Sequence, residues 1–558
     1  MLGRPIFLSL CAYSYLSLAA ARSPLISLPY GIFEGAKDGH LTKFLGVPFA
    51  RPAARFELPQ PPIRLHGIQD ATTFGPACPQ QALSPGIPFP VNNYSAISEA
   101  CLTLDVFTPS SAHPGSKLPV LVWLYGGGWQ SLGEPVIIVA PNYRLSAFGF
   151  LAGKEASDAG ITNLGLRDQI FALEWVQKHI ETFGGDPGRV VLGGFSAGSV
   201  STGLLQLHNK HKTHSLFHGA FMASGVLWPS PSVADGQQDY DGLVAANNCT
   251  GSRDTLDCLR RVPFEAFLST VNKTPDFFSF RSLSLVWGPR VDGDIIVRYP
   301  ATSVIQGAFA KIPRMVGGVD DEGTLFAFSS LNVTTNIEFT DYIRSIYLPK
   351  ASPNQISRVA KLYSPDPAQA DTTQGSPFGT GSANQVTPEF KRIAAFEGDV
   401  ALVSLRRFFF RHASRTQNIW SWLSKRGKST PDLGAFHGSD IPMFFPPNAT
   451  AATNNMAVDS IINFINTLDP NHSAASERLN SSPDLFWPKW DTPNAEASTS
   501  LLTFSDPAVI NVTADNFRSE SIDFLIGLHL EGATVSEWPR LSDMPVSDEA
   551  QVYLEKPF

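Results

Sequence analysis

The chain is poor in charge: only 16% of its 558 residues are Asp, Glu, Lys or Arg. Neither sign dominates, with 42 basic against 50 acidic side chains and a formal charge of -8. The Lys and Arg residues are scattered, so no basic face exists for nucleic acid. Long apolar runs are missing beyond the first twenty or so residues, and the stretch from 536 to 558 is polar, so neither a membrane helix nor a lipid anchor is expected. Metal-ligand spacing is missing too. His208, His211 and His214 sit together without a cysteine or carboxylate at ligand spacing and read as a surface helix end, so no metal and no cofactor are expected. There is no internal repeat, and no linker-like tract divides the chain. With 43% hydrophobic residues, ample for a sizeable core, one large globular domain over 22–558 is predicted.

The first residues carry Arg4, an apolar stretch from Ile6 to Leu18, and Ala19-Ala20-Ala21. Those are the charged, apolar and small-residue regions of a signal peptide, predicted over 1–21, and the expected destination is outside the cell. Cysteine is scarce, five in all. Once Cys11 leaves with the leader, Cys78, Cys101, Cys249 and Cys258 form an even set suited to an oxidising compartment, with nearest-neighbour pairing the simplest choice. Sequons at Asn93, Asn248, Asn272, Asn332, Asn448, Asn471, Asn480 and Asn511 predict N-glycans on a soluble surface.

From 31 to 49, turns alternate with short apolar segments, which predicts a small antiparallel start. Pro-rich stretches at 52–62 and 85–90 read as loops. Strands are predicted at 120–124, 136–139, 190–192, 219–222 and 312–317, with helices between them, notably 166–181, where apolar residues follow the helical period. Alternation of strand and helix implies a mostly parallel sheet covered on both faces. After Asn332 the pattern turns helical and irregular, with a polar surface loop over 364–387.

Two glycine clusters carry the chemistry. Gly194-x-Ser196-x-Gly198 follows the apolar run 189–192 and has the pattern of a strand-to-helix turn that exposes a serine above a sheet. The pattern is short enough to occur by chance. A second cluster raises its weight: the run 120–125 opens into Gly126-Gly127-Gly128, bare backbone whose amides can face a substrate. A serine hydroxyl is a poor nucleophile at neutral pH and needs a histidine to take its proton and an acid to orient that histidine. Glu322, in Gly317-Gly-Val-Asp-Asp-Glu322-Gly, follows a predicted strand, with Asp320 and Asp321 as close rivals. His437, in Gly434-Ala-Phe-His437-Gly-Ser-Asp440, lies in a turn-rich loop suited to carrying a base.

Ser, Glu and His in that chain order, with the glycine loop, resemble the type-B carboxylesterase/lipase family of α/β-hydrolases, which includes cholinesterases and secreted fungal lipases and esterases. The resemblance spans nearly the whole chain after the leader. Phe44-Leu-Gly-Val-Pro-Phe-Ala50, Arg55-Phe56, Ser98-Glu99-Ala-Cys101, Asn142-Tyr-Arg-Leu145, Asn163-Leu-Gly-Leu-Arg-Asp-Gln169, Phe183-Gly-Gly-Asp-Pro187, Asp321-Glu-Gly323 and His437-Gly-Ser-Asp440 are similar to the family's landmarks, in order. It implies an α/β-hydrolase fold: a central, mostly parallel twisted sheet flanked by helices, with helical or irregular C-terminal insertions. It also implies Ser196 as nucleophile, His437 as base and then acid, Glu322 as orienting carboxylate, and the amides of Gly127, Gly128 and Ala197 as an oxyanion hole. Disulfides Cys78–Cys101 and Cys249–Cys258 follow from the same resemblance, and the implied substrate is a small-molecule or lipid ester with an apolar acyl or aryl group.

Three departures stand out. Phe195 replaces the acidic residue the family usually has before its nucleophile, and the 78–101 loop holds no Trp on which a choline cation could stack. Ala100 and Asp105 replace a common Asp and Asn. Between Gly128 and Pro135 the chain is shorter than the family by some twenty residues, which points either to a mispredicted exon boundary or to an impaired oxyanion loop. A non-catalytic binding or adhesion protein on the same scaffold is the competing reading, and a serine peptidase a weaker third.

Overall fold

Residues 23–83, 96–126, 139–207, 209–366, 383–446, 455–471, 485–491 and 499–533 are described by the computed structural model. They contain the strands β1 (Leu25–Leu28), β2 (Gly31–Glu34), β3 (Ala36–Asp38), β4 (Leu41–Pro48), β5 (Ile68–Asp70), β6 (Thr103–Pro109) and β7 (Leu118–Leu124). After them come β8 (Val139–Pro141), β9 (Gly185–Phe195), β10 (Gly219–Ala223), β11 (Arg314–Val319), β12 (Ile419–Lys425), β13 (Ser500–Ser505) and β14 (Val509–Ala514). A small sheet has the order β1-β2-β5, and an 11-stranded sheet the order β14-β13-β12-β11-β10-β9-β7-β8-β6-β4-β3. Strands β13 through β8 in that order are parallel, and antiparallel strands flank them on both sides.

Side-chain alternation explains why this sheet is buried on both faces. In β7, Val120, Val122 and Leu124 join one apolar cluster, which holds most of the core. Leu121 and Trp123 point the other way into a second, aromatic cluster with Phe221, Trp420, Trp422 and Phe464. Helices supply the covers: Leu164–His179, close to the expected 166–181, and Ala197–Leu205, which carries the chain from β9 back to its parallel neighbour β10. The architecture is that of an α/β-hydrolase.

Four of the five predicted strands fall on β7, β9, β10 and β11. Of the fifth, 136–139, only Val139 is among the described residues, and it opens β8. The stretch after Asn332 is helical as expected, yet it also supplies β12, β13 and β14, which extend the sheet. Most of the expected 364–387 loop lies outside the described residues, as do the leader and the 85–90 segment.

Several landmarks prove to be ties between distant segments. Arg55 donates to both carboxylate oxygens of Glu99, each at 2.9 Å. Arg144 does the same to Asp168, at 2.8 and 2.6 Å, with its backbone N–H adding a third bond. Bidentate pairs of this kind satisfy buried charge and fix geometry together. The disulfides join Cys78 to Cys101 and Cys249 to Cys258, closing loops with sequence separations of 23 and 9.

Candidate active site

Strand β9 runs straight into Ser196, which sits at φ 54° and ψ -122° before the helix Ala197–Leu205 begins. A serine with positive φ is strained by about 1–3 kcal/mol, tolerated only where its surroundings impose it. The flanking glycines show what imposes it. A Cβ on Gly194 would lie 2.4 Å from the Gly198 carbonyl carbon, and one on Gly198 would lie 2.0 Å from the Leu124 carbonyl oxygen. Strand, turn and helix thus touch backbone to backbone, and the Ser196 N–H donates to the Ala223 carbonyl of β10 at 2.9 Å.

Glu322 follows the end of β11, and His437 lies beyond β12 on the loop over 426–437. The structure brings both to Ser196. His437 Nε2 is 2.8 Å from Ser196 Oγ, and His437 Nδ1 is 2.6 Å from Glu322 Oε2. With Nδ1–H donating to the carboxylate, Nε2 is left to accept from the hydroxyl. Glu322 and His437 are only 5% and 7% exposed, so solvent screens this line poorly. The other carboxylate oxygen, Oε1, accepts from Ser224 Oγ at 2.8 Å and from the Val319 N–H at 3.0 Å. Phe195 and Phe326 pack against the imidazole, with ring centroids 4.8 and 5.0 Å from it. Phe195 therefore covers the histidine with an apolar ring.

Of the three rival acids, Glu322 is the one at the histidine. Asp321 instead accepts from Lys428 Nζ at 2.7 and 2.9 Å and from the Ala435 N–H at 2.6 Å. Asp320 also pairs with Lys428. Burial pulls Asp320 upward, but Lys428 and Lys425 outweigh it and hold the carboxyl below its ordinary range. Burial likewise works against the Lys428 ammonium, and the two aspartates reverse that and raise it. Asp440, three residues after His437, accepts from Trp422 Nε1 at 2.8 Å; burial first, and then the charge of Glu322, push it up to about 6.

Ala197 heads its helix, where first-turn amides have no intrahelical partner. The glycine loop starts against the same turn, since a Cβ on Gly126 would lie 2.9 Å from that of Ser196. Gly127, Gly128 and the segment through Pro135 lie outside the described residues. His208 does too; His211 lies in a turn after the helix and approaches Asp294 at 3.3 Å, while His214 sits in a 3₁₀ turn. Among the described residues no group of three or more His, Cys, Asp or Glu side chains could hold a metal ion, and no helix is long and apolar enough to cross a membrane.

Sequence reasoning did not single out Ser224, Lys428 or the Trp422–Asp440 pair. Ser224 had a signal: it is a small polar residue at the end of an all-buried strand, in register beside the strand that leads to Glu322.

Residues 22–524 match the carboxylesterase family. The chain is 34% identical to the secreted triacylglycerol lipase LIP1 of Gibberella zeae over 550 residues, covering 90% of this chain and 89% of that protein. It is 35% identical to lipase 4 of Diutina rugosa over 527 residues, covering 86% and 92% respectively. The crystal structure of Aspergillus niger EstA superposes with a TM-score of 0.75 at 25% identity, covering 92% of this chain and 99% of that one. Fold, site geometry and these likenesses agree: the chain belongs to the carboxylesterase family and is a carboxylic ester hydrolase.

Proposed function

We propose that the protein is a secreted serine esterase or lipase that cleaves esters with an apolar acyl or aryl group, triacylglycerols included, through an acyl-enzyme on Ser196. The hydrogen-bonded line Ser196–His437–Glu322, with its 2.8 and 2.6 Å links, is the observation that carries this reading. Ser196 Oγ attacks the ester carbonyl carbon while its proton passes to His437 Nε2, and Glu322 stabilises the resulting imidazolium. Backbone amides of Ala197, Gly127 and Gly128 receive the oxyanion. As the tetrahedral intermediate collapses, the Nε2 proton goes to the leaving alcohol's oxygen. Water then gives a proton to Nε2 as it attacks the acyl-enzyme, and when that second intermediate collapses the proton passes from Nε2 to Ser196 Oγ and the acid is released.

The names of the relatives from Gibberella zeae and Diutina rugosa support lipid esters as substrates. The Ala19-Ala20-Ala21 leader supports export, with 22–558 as one domain, and the exposed Asn248, Asn272, Asn332 and Asn511 suit N-glycans. The test is to titrate the secreted protein and Ser196→Ala with an organophosphonate serine probe while reading p-nitrophenyl ester hydrolysis across acyl lengths. Labelling and turnover are expected in the native protein and absent from the variant. A folded native protein that neither labels nor turns over would refute the reading and favour a binding role for the scaffold.

A further inference from the structure

The loop that carries His437 is fastened to the segment that carries Glu322 at several points, and one side chain joins most of them. Lys428 Nζ reaches Asp321 Oδ1 at 2.7 Å, Asp321 Oδ2 at 2.9 Å and Asp320 Oδ2 at 2.5 Å. The same Asp321 Oδ2 accepts from the Ala435 N–H at 2.6 Å, and the Asp321 N–H returns a bond to the Ala435 carbonyl at 3.1 Å. Thr324 Oγ1 donates to the Leu433 carbonyl at 2.7 Å. At the other end of the loop, the Gly427 and Lys428 N–H groups donate to Asp506 Oδ2 at 2.9 and 3.3 Å. Asp321 is the residue before Glu322, and Ala435 is two before His437.

From this we infer that Lys428 is a positioning residue of the esterase reaction: its ammonium holds Asp321 charged and in place, and Asp321 in turn sets the distance between the His437 loop and Glu322. The inference rests on the proposed roles of Ser196, His437 and Glu322. The side chain of Asp321 is wholly buried, and a carboxylate there stays ionised only with a counter-charge and hydrogen bonds. Asp320, Asp321 and Glu322 are three consecutive acids that repel one another. Lys425 stands 3.7 Å from Asp320 with a side chain 43% exposed, against 24% for Lys428, so it is the better screened and weaker partner, and Arg518, which also acts on Asp320, is hydrogen-bonded to Asp399 at 2.7 and 2.8 Å. Without the Lys428 ammonium, Asp321 must take up a proton or turn toward water. Either response loosens its bond to Ala435 and lets the imidazole drift from Ser196, and a misplacement of about 1 Å costs on the order of a hundredfold in rate. Binding of the ester does not depend on that alignment, so the loss belongs in kcat.

The experiment compares Lys428→Met, Lys428→Gln and Lys428→Arg with the native protein, each titrated with the phosphonate probe so that kcat is counted per competent site. Thermal melts confirm that each is folded at the assay temperature. The expected result is a kcat about 10- to 100-fold lower for Met and Gln, KM within twofold, and recovery to within about threefold for Arg, which keeps the charge. Native-like kcat per titrated site in Met or Gln overturns the inference, and so does a failure of both to fold, because Lys428 is then a stability residue alone. A native protein that does not label with the probe sinks the underlying serine-hydrolase reading instead, so the two failures are told apart.

Discussion

Ser224→Ala isolates the support that Glu322 receives on the side away from the histidine. Ser224 is 2% exposed, and its hydroxyl donates to Glu322 Oε1 at 2.8 Å, beside the Val319 N–H at 3.0 Å. The substitution deletes one oxygen, keeps the backbone and leaves Oε1 with one described donor. A hydrogen bond to a charged group is worth about 1.5–3 kcal/mol, and each 1.4 kcal/mol is tenfold in rate, so full expression in the transition state predicts a loss of about 10- to 150-fold. The remaining Val319 bond moves the expectation toward the lower end. Gly318 leaves the room the carboxylate occupies, since a Cβ there would lie 2.2 Å from Oε1. Steady-state hydrolysis of a soluble p-nitrophenyl ester, with active sites counted by phosphonate titration, should show kcat reduced about tenfold or somewhat more and KM within twofold. A kcat within twofold of the native value would refute the argument that the bond orients Glu322.

Glu397 is wholly buried, accepts from Tyr342 and Tyr347 at 2.6 and 2.9 Å, and is pushed up to about 7 by burial from an ordinary 4.5. The folded state therefore holds this proton more tightly than the unfolded one between those values, and stability falls as pH rises through that window. Glu397→Gln removes the effect, so its stability relative to the native protein should improve by up to about 3 kcal/mol between pH 4.5 and 7; urea midpoints that differ by a pH-independent amount would contradict this. For the disulfides, loop separations of 23 and 9 predict that losing Cys78–Cys101 costs about 3.4 kcal/mol and losing Cys249–Cys258 about 2.6 kcal/mol on the chain-entropy account. Paired Cys→Ser variants measured in urea check this, and an inverted order would show that strain or packing outweighs loop closure.

Where backbone must touch backbone, the sequence is readable, because only glycine fits. Gly194, Gly198 and Gly126 mark the turn around Ser196 for that reason, and the apolar runs entering those glycines mark β7 and β9. Strand β12 was harder to see. Its Ile-Trp-Ser-Trp-Leu-Ser-Lys text mixes apolar residues with serines, yet Ser421 and Ser424 are as buried as the tryptophans. A strand covered on both faces, with hydroxyls bonded internally, gives neither an alternating nor a continuous apolar pattern. From the residues alone the choice among Asp320, Asp321 and Glu322 stayed open, and only the family resemblance implied Glu322. The choice depends on Lys428, more than a hundred residues away, which occupies the first two carboxylates and leaves the third for His437.

Strand β10 contributes no reacting atom, yet it gauges the active site. It lies between β9, which ends at Ser196, and β11, which leads to Glu322. Neighbouring strands are about 4.8 Å apart, so the two outer strands stand about 10 Å apart. One imidazole with a hydrogen bond at each end, 2.8 and 2.6 Å long, bridges that gap. Ala223 at the end of β10 holds the Ser196 backbone, and Ser224 just after it holds Glu322. A slip of β10 by one residue would move both anchors by about 3.3 Å, farther than either hydrogen bond is long. A chain whose sheet is almost correctly assembled would thus be inactive, so the onset of ester hydrolysis during refolding reports the moment β10 locks into register.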